Sequence, residues 1–161
     1  MNEQIEGNVD TIDDLYMIFI INNQKYALSS KYIIEIVGLS KITTVPFIPK
    51  YINGIINLRS TIIPIIDARM RFGINRMEYN ERTCIIIIEN KDDKVGLIVD
   101  SVSEVITILP EQSMKMDSTK ASEIDKNFIK SVSEINGETQ LILDCDSLIR
   151  ISEEFKNEIN E

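Results

Sequence analysis

Short apolar runs, each long enough for a strand and too brief for a core helix, recur every eight to twelve residues along this chain, and turn-forming residues separate them. FIKSVSEI (128–135) and ETQLILD (138–144) show the pattern best, because Asn136 and Gly137 between them suit the two left-handed positions of a type I′ turn. LYMIFII (15–21) and KYALSS (25–30) flank Asn22 and Asn23 in the same way, and TCIIIIEN (83–90) and KVGLIVD (94–100) flank Lys91, Asp92 and Asp93. Isoleucine makes up about a fifth of the chain, and β-branched side chains favour pleated sheet over helix. Some nine or ten short strands describe small barrels or a sandwich and exclude a doubly wound parallel sheet.

Residues 54–73, GIINLRSTIIPIIDARMRFG, put a guanidinium between two segments that look built for an interior. Gly54 to Leu58 and Thr61 to Asp67 are apolar on both faces, so the polar residues around Arg59 read as a tight reversal. An unpaired buried guanidinium would be costly, which keeps Arg59 at the reversal as a fixed charge for recognition. Pro64 lacks a donor and belongs on an edge strand or at a bulge. Asp67 can cap one helical turn, ARMRF, that Gly73 ends.

Ser29 or Ser30 can cap a short helix over KYIIEIVG with Gly38 as its stop, although IIEIV serves equally as a strand. KITTV (41–45) reads as an exposed or edge strand before Pro46 and Pro49. SVSEVITI (101–108) reads as half exposed, with Val102, Ile106 and Ile108 mostly on one face, and residues 111–126 have no clear period. DSLIRISEEFKNEIN places Leu148, Ile151, Phe155 and Ile159 at helical spacing, with Asp146 as a cap. The expected organisation is a flexible acidic tail over 1–13, one folded domain of two β-barrel subdomains over 14–150, and the end of an amphipathic helix over 151–161.

A net charge of −9 argues against a nucleic-acid binder, since phosphate recognition needs clustered Lys and Arg. The N-terminus lacks a secretory signal, and no stretch approaches the roughly 18 apolar residues a bilayer crossing needs. Cytoplasmic residence without membrane insertion is expected, with Cys84 and Cys145 as reduced core thiols.

Reactive equipment is sparse. The chain has no histidine, which removes Ser-His and Cys-His catalysis and the commonest zinc ligand. The two cysteines form no Cys-x-x-Cys pair, the glycines form no phosphate loop, and no cofactor is implied. Asp67 and Asp100 could in principle do paired carboxylate chemistry as a hydrolase, but capping and strand-end solvation explain them as well. A small-ligand-binding barrel is a second alternative, motivated by strand count and isoleucine content. A binding module without catalysis fits the profile best.

YINGIINLRSTIIPIIDARMRFG followed by VGLIVDSVSEV resembles the CheW family of chemotaxis adaptors, over Leu15 to about Leu148. The order carries the resemblance: IIEIV, two prolines, an N-L-R turn, P-x-x-D, F-G, then V-G-L-x-V-D-x-V-x-E-V. It implies a mostly β fold of two small, intertwined, five-stranded Src-homology-like barrels sharing a core. It implies a non-enzymatic bridge between the regulatory domain of a CheA-type histidine kinase and the cytoplasmic tips of chemoreceptors, or a scaffold of a related non-motility pathway. By position, Glu35, Val37, Gly54, Asn57, Arg59, Val99, Asp100 and Val102 correspond to receptor-binding positions, and Ile42, Val45 and Phe47 are candidates for the kinase contact. Ser60 and Ser131 stand where the family usually has glycine, and a serine held at positive φ would be strained by about 1 kcal/mol. The length leaves no room for an added receiver domain, so a stand-alone adaptor is expected.

Overall fold

The computed structural model describes residues 14–39, 42–44, 46, 51–115 and 128–150. Within them lie β1 (Leu15–Ile21), β2 (Gln24–Ser29), β3 (Ile33–Val37), β4 (Ile52–Leu58), β5 (Thr61–Asp67), β6 (Cys84–Asn90), β7 (Asp93–Val99), β8 (Ser101–Thr107), β9 (Ser113–Lys115), β10 (Ile129–Ile135) and β11 (Glu138–Leu143). One helical turn, α1 (Ala68–Arg71), follows β5, and α2 occupies 145–150. One sheet runs β8-β1-β2-β11-β10-β9 and the other β3-β6-β7-β5-β4. The second is therefore one uninterrupted stretch, β3 to β7, set between β2 and β8 of the first. The chain enters it through a 3-10 turn at Ser30–Tyr32 and leaves it through a single residue, Asp100.

Each sheet curls into a small barrel, which explains why the strands are apolar on both faces. On β6, Ile85 and Ile87 enter the second barrel's own core with Ile56, Ile63, Ile65 and Ile98. Ile86 and Ile88, one residue out of phase, join a larger core shared with Phe19, Ile21, Tyr26 and Leu28 of the first barrel. A small third cluster of Ile18, Ala27, Ile108 and Ile142 fills the first barrel. Gly96 completes the second barrel's packing: a Cβ there would overlap Ile65 Cδ1 and lie 2.8 Å from Ile85 Cγ2. An aromatic row runs through the shared core, Phe19 to Tyr26 (6.0 Å between centroids), Tyr26 to Phe72 (5.6 Å) and Phe72 to Phe128 (5.2 Å).

The hairpins follow their turn chemistry. Asn22 and Asn23, Arg59 and Ser60, and Asn136 and Gly137 all have positive φ, as does Lys91. Asp67 caps α1 by accepting from Met70 N at 3.3 Å, and Gly73 follows at φ 76°. Thr43 exchanges two 2.8 Å backbone bonds with Ile55 and brings the chain leaving β3 round to the free edge of β4. Gly54 permits this approach, since its Cβ would overlap the Thr43 carbonyl oxygen.

Several expectations are corrected. KYIIEIVG forms no α-helix: a 3-10 turn at Ser30–Tyr32 leads into β3, and Ser29 makes no capping bond. Ile33 pairs with Ile88 and Glu35 with Ile87, so Ile34 is a bulge and the alternation restarts after it. Pro64 is not on an edge strand, because β5 lies between β4 and β7. It is tolerated because Ile55 opposite bonds to Thr43, so Pro64 faces away from β4, and the β7 ladder begins only at Ile65. The first sheet has six strands, because Ser113–Lys115 adds an edge strand within the stretch that had no period. A bulge at Ser103 pairs Val102 with Phe19 but Glu104 with Ile18, which turns Val102 to the shared core, away from Ile106 and Ile108. Asp144, not Asp146, precedes α2 and accepts from Asp146 N at 3.1 Å, while Asp146 accepts from Asn90 Nδ2 at 2.6 Å. Ser60 does adopt positive φ, at 70°, but Ser131 does not. The tail over 1–13 and the helix end over 151–161 lie outside the described residues.

Candidate functional site

Two residues far apart in sequence meet at the mouth of the second barrel. Arg59 sits at the tip of the β4–β5 hairpin with φ 51°. The bulge at Ile34 turns Glu35 to the side of Ile87. Arg59 Nη2 donates to Glu35 Oε2 at 3.1 Å and stands 3.0 Å from Oε1, which is buried and accepts no hydrogen bond, so the pair is a single-bond ion pair rather than a two-pronged fork. The Arg59 side chain is 71% exposed and Glu35 25% exposed, which leaves most of the guanidinium's donors facing outward. Asn57 Oδ1 accepts from Ser60 N at 3.1 Å and holds the reversal from below. Ile34 (38%) and Ile36 (43%), next to Glu35 along β3, are unusually exposed for large apolar side chains; Ile36 pairs with Ile86 and lies on the face of the strand opposite Glu35, and Ile62 on the hairpin reaches 59%.

The remaining candidates separate by exposure. Val37 is half-buried against the second barrel's core, and Gly54 and Val99 are buried, so neither of the latter offers a side chain to a partner. Val102 lines an open groove between the barrels with Ile20, Arg82, Cys84, Ser101 and Ser103. Ile42 packs its Cγ2 over Gly54 and is half-buried; Val45 and Phe47 lie outside the described residues. Sequence reasoning missed Ile34 and Ile36 because it left IIEIV open between helix and strand and so assigned neither isoleucine a face. On a strand, two isoleucines flanking a glutamate are the signal that finds them.

Asp100 is held inside the molecule. Its carboxylate takes Arg69 Nε at 3.0 and 3.2 Å, Arg69 Nη2 at 3.0 Å and the Asn22 backbone N–H at 2.8 Å. This hydrogen bonding pushes the pKa of Arg69 further above its ordinary value, so its charge is permanent. Asp67, 2% exposed, is equally committed to Met70 N, the Tyr79 hydroxyl at 2.5 Å and the nearby Arg76. Both carboxylates of the hydrolase alternative are thus engaged in structural bonds, which removes its support. Isoleucine side chains fill the second barrel, which offers a small ligand no interior there. Among the described residues no three Cys, Asp or Glu side chains converge as metal ligands would.

Burial, then the bond to Asp67, pushes the Tyr79 phenol from 10.0 up to about 12. Burial and the flanking Asp146 and Asp144 charges push the free Cys145 thiol from 9.0 up to about 12. Both shifts favour the protonated form in the folded state. The stability they contribute is complete below about pH 9 and is lost as pH climbs towards about 12. Urea titrations across that window should show a falling midpoint, with a shallower fall in a Cys145→Ala, Tyr79→Phe variant. An equally steep fall in that variant would assign the alkaline sensitivity to other groups.

Two small barrels around a common core, with an exposed ion pair at one barrel mouth and an open groove along the seam, define a two-barrel interaction domain. A family model described as the CheW-like domain matches residues 15–153, and the chain belongs to that family. It is similar to the chemotaxis protein CheW of Rhizobium meliloti, 31% identical over 130 residues that cover 81% of this chain and 83% of the relative. It is also similar to the chemotaxis protein CheW of Klebsiella aerogenes, 34% identical over 103 residues, 64% of this chain and 62% of that one. Among solved structures, the scaffolding protein TtCheW of Thermoanaerobacter tengcongensis superposes with a TM-score of 0.76 at 33% identity, covering 82% of this chain and 89% of that one.

Proposed function

We propose that this chain is a non-enzymatic adaptor of chemotaxis signalling that couples chemoreceptors to a CheA-type histidine kinase. The observation that carries the proposal is the exposed Arg59–Glu35 pair, on a strand that also exposes Ile34 and Ile36, in a fold shared with proteins named as chemotaxis and scaffolding proteins. A fixed charge on an exposed hairpin and exposed apolar side chains on the neighbouring strand suit an amphipathic helix, and the cytoplasmic tip of a chemoreceptor is such a partner. Arg59, Glu35 and Val102 are assigned to the receptor contact, with Asn57 and Gly54 supporting the hairpin. Ile42, with Val45 and Phe47, is assigned to the contact with the kinase regulatory domain. A cytoplasmic place of work is part of this reading; no helix among the described residues is long and apolar enough to cross a membrane.

Titration calorimetry of the full chain against the isolated regulatory domain of the cognate CheA-type kinase tests this reading. Saturable one-to-one binding is expected, with a dissociation constant of about 10 μM or tighter. No heat at tens of micromolar would sink it.

A further inference from the structure

Asp100 is the whole covalent connection between β7 in the second barrel and β8 in the first, and it carries more intramolecular hydrogen bonds than a linker needs. Its own N–H donates to Ile20 O at 3.0 Å, on β1. Its carboxylate accepts from the Asn22 N–H in the β1–β2 turn of the first barrel and from Arg69 on α1, which belongs to the second. Arg69 is engaged further: Nη1 donates to Asn75 O at 2.8 Å and Nη2 reaches Asn22 Oδ1 at 3.4 Å. The two side chains are only 13% and 17% exposed, so water weakens this network little. Four segments, from both barrels, converge on one ion pair at the point where the chain passes between them.

Apolar contact across the shared core is strong but non-directional, and by itself it tolerates small sliding of one layer over another. A forked guanidinium–carboxylate contact has a defined plane and defined angles. We propose that Arg69 and Asp100 are positioning residues that fix the angle between the two barrels and, through it, the shape of the groove lined by Ile20, Cys84 and Val102. Asp100 then influences receptor binding by orienting its neighbours and makes no contact with the receptor. This second step rests on the receptor-coupling reading given above, whereas the first does not.

Residual dipolar couplings of the intact protein separate the two steps. In the native chain one alignment tensor fits the amides of both barrels. In Asp100→Asn, which keeps the size of the side chain but loses the charge, each barrel should still fit a tensor of its own while one tensor no longer fits both. Binding to a receptor-tip fragment should weaken about tenfold. Binding to the kinase regulatory domain, a contact assigned to one barrel, should stay within about twofold. Arg69→Lys retains the charge and loses only the fork, and it should give the same loss of a common tensor in a milder form if Asp100→Asn does not fold. A common tensor that persists in the folded variants overturns the positioning role. A lost common tensor with unchanged receptor affinity overturns the link to the groove. If the native chain fails to bind receptor at all, the adaptor reading fails and the tensor result still decides the clasp.

Discussion

Replacing Phe72 by alanine is expected to lower the unfolding free energy by about 3–5 kcal/mol. Phe72 is fully buried at the end of α1, and its ring lies between Tyr26 of the first barrel and Phe128, which leads into β10 of the first barrel. The helical turn that carries it belongs to the second barrel, fixed by the Asp67 cap and by the Phe72 N–H donating to Ala68 O at 2.9 Å. Truncation therefore leaves a cavity at the junction of the barrels, where neither side can collapse without shifting a sheet. For a domain of this size the loss corresponds to a fall in Tm of roughly 6–20 °C. The native chain should unfold in one transition, because Ile86, Ile88, Val95 and Leu97 of the second barrel pack in the same cluster as Phe19 and Leu28 of the first. Differential scanning calorimetry checks both points. A loss below about 1 kcal/mol, the size of an ordinary surface substitution, would mean that the barrels are only lightly joined.

Local chemistry made much of the fold readable from sequence. Two-residue hairpin turns need left-handed backbone, which Asn-Gly at 136–137 and the asparagine pair at 22–23 accept readily, so the hairpins they close are set within a few residues. The Asp67 cap was equally local. β3 was less legible because a run of isoleucines satisfies both periods, and the bulge at Ile34 interrupts the alternation that would have decided for a strand. Pro64 misled for a different reason: its interior position depends on where the β7 ladder starts, which is a tertiary fact. Within the site, Arg59 and Glu35 could each be placed by motif, but their contact spans 24 residues and depends on how the barrel closes. The Arg69–Asp100 pair spans 31 residues, and without a fold nothing about Asp100 foretold its bonds to Arg69 and to the Asn22 N–H. Ser60 is the converse case. The glycine usual at that position in the family it resembles raised positive φ as a possibility for Ser60 and Ser131 alike; only Ser60 adopts it, and its N–H donates to Asn57 Oδ1 in the turn.

Arg59→Ala is expected to leave stability almost intact while abolishing most receptor-dependent kinase activation. An ion pair as exposed as this one contributes less than about 1 kcal/mol, and the alanine keeps the same turn to satisfy. Binding energy is different, because a partner that covers the barrel mouth dries the guanidinium and gives its free donors their full worth; loss of such an anchor typically costs about 2 kcal/mol or more, some thirtyfold in affinity. The Arg59–Glu35 bond also gives the prediction a second arm. If Glu35 serves only to orient Arg59, then Glu35→Ala should weaken activation less than Arg59→Ala, and adding it to Arg59→Ala should change nothing further. If both side chains touch the receptor, the two losses should add. Reconstituted arrays of receptor, kinase and each variant, assayed for kinase activity beside a thermal melt, distinguish these outcomes. An Arg59→Ala protein that melts with the native chain and still activates the kinase fully would remove Arg59 from the interface and leave it as the closing pair of a barrel.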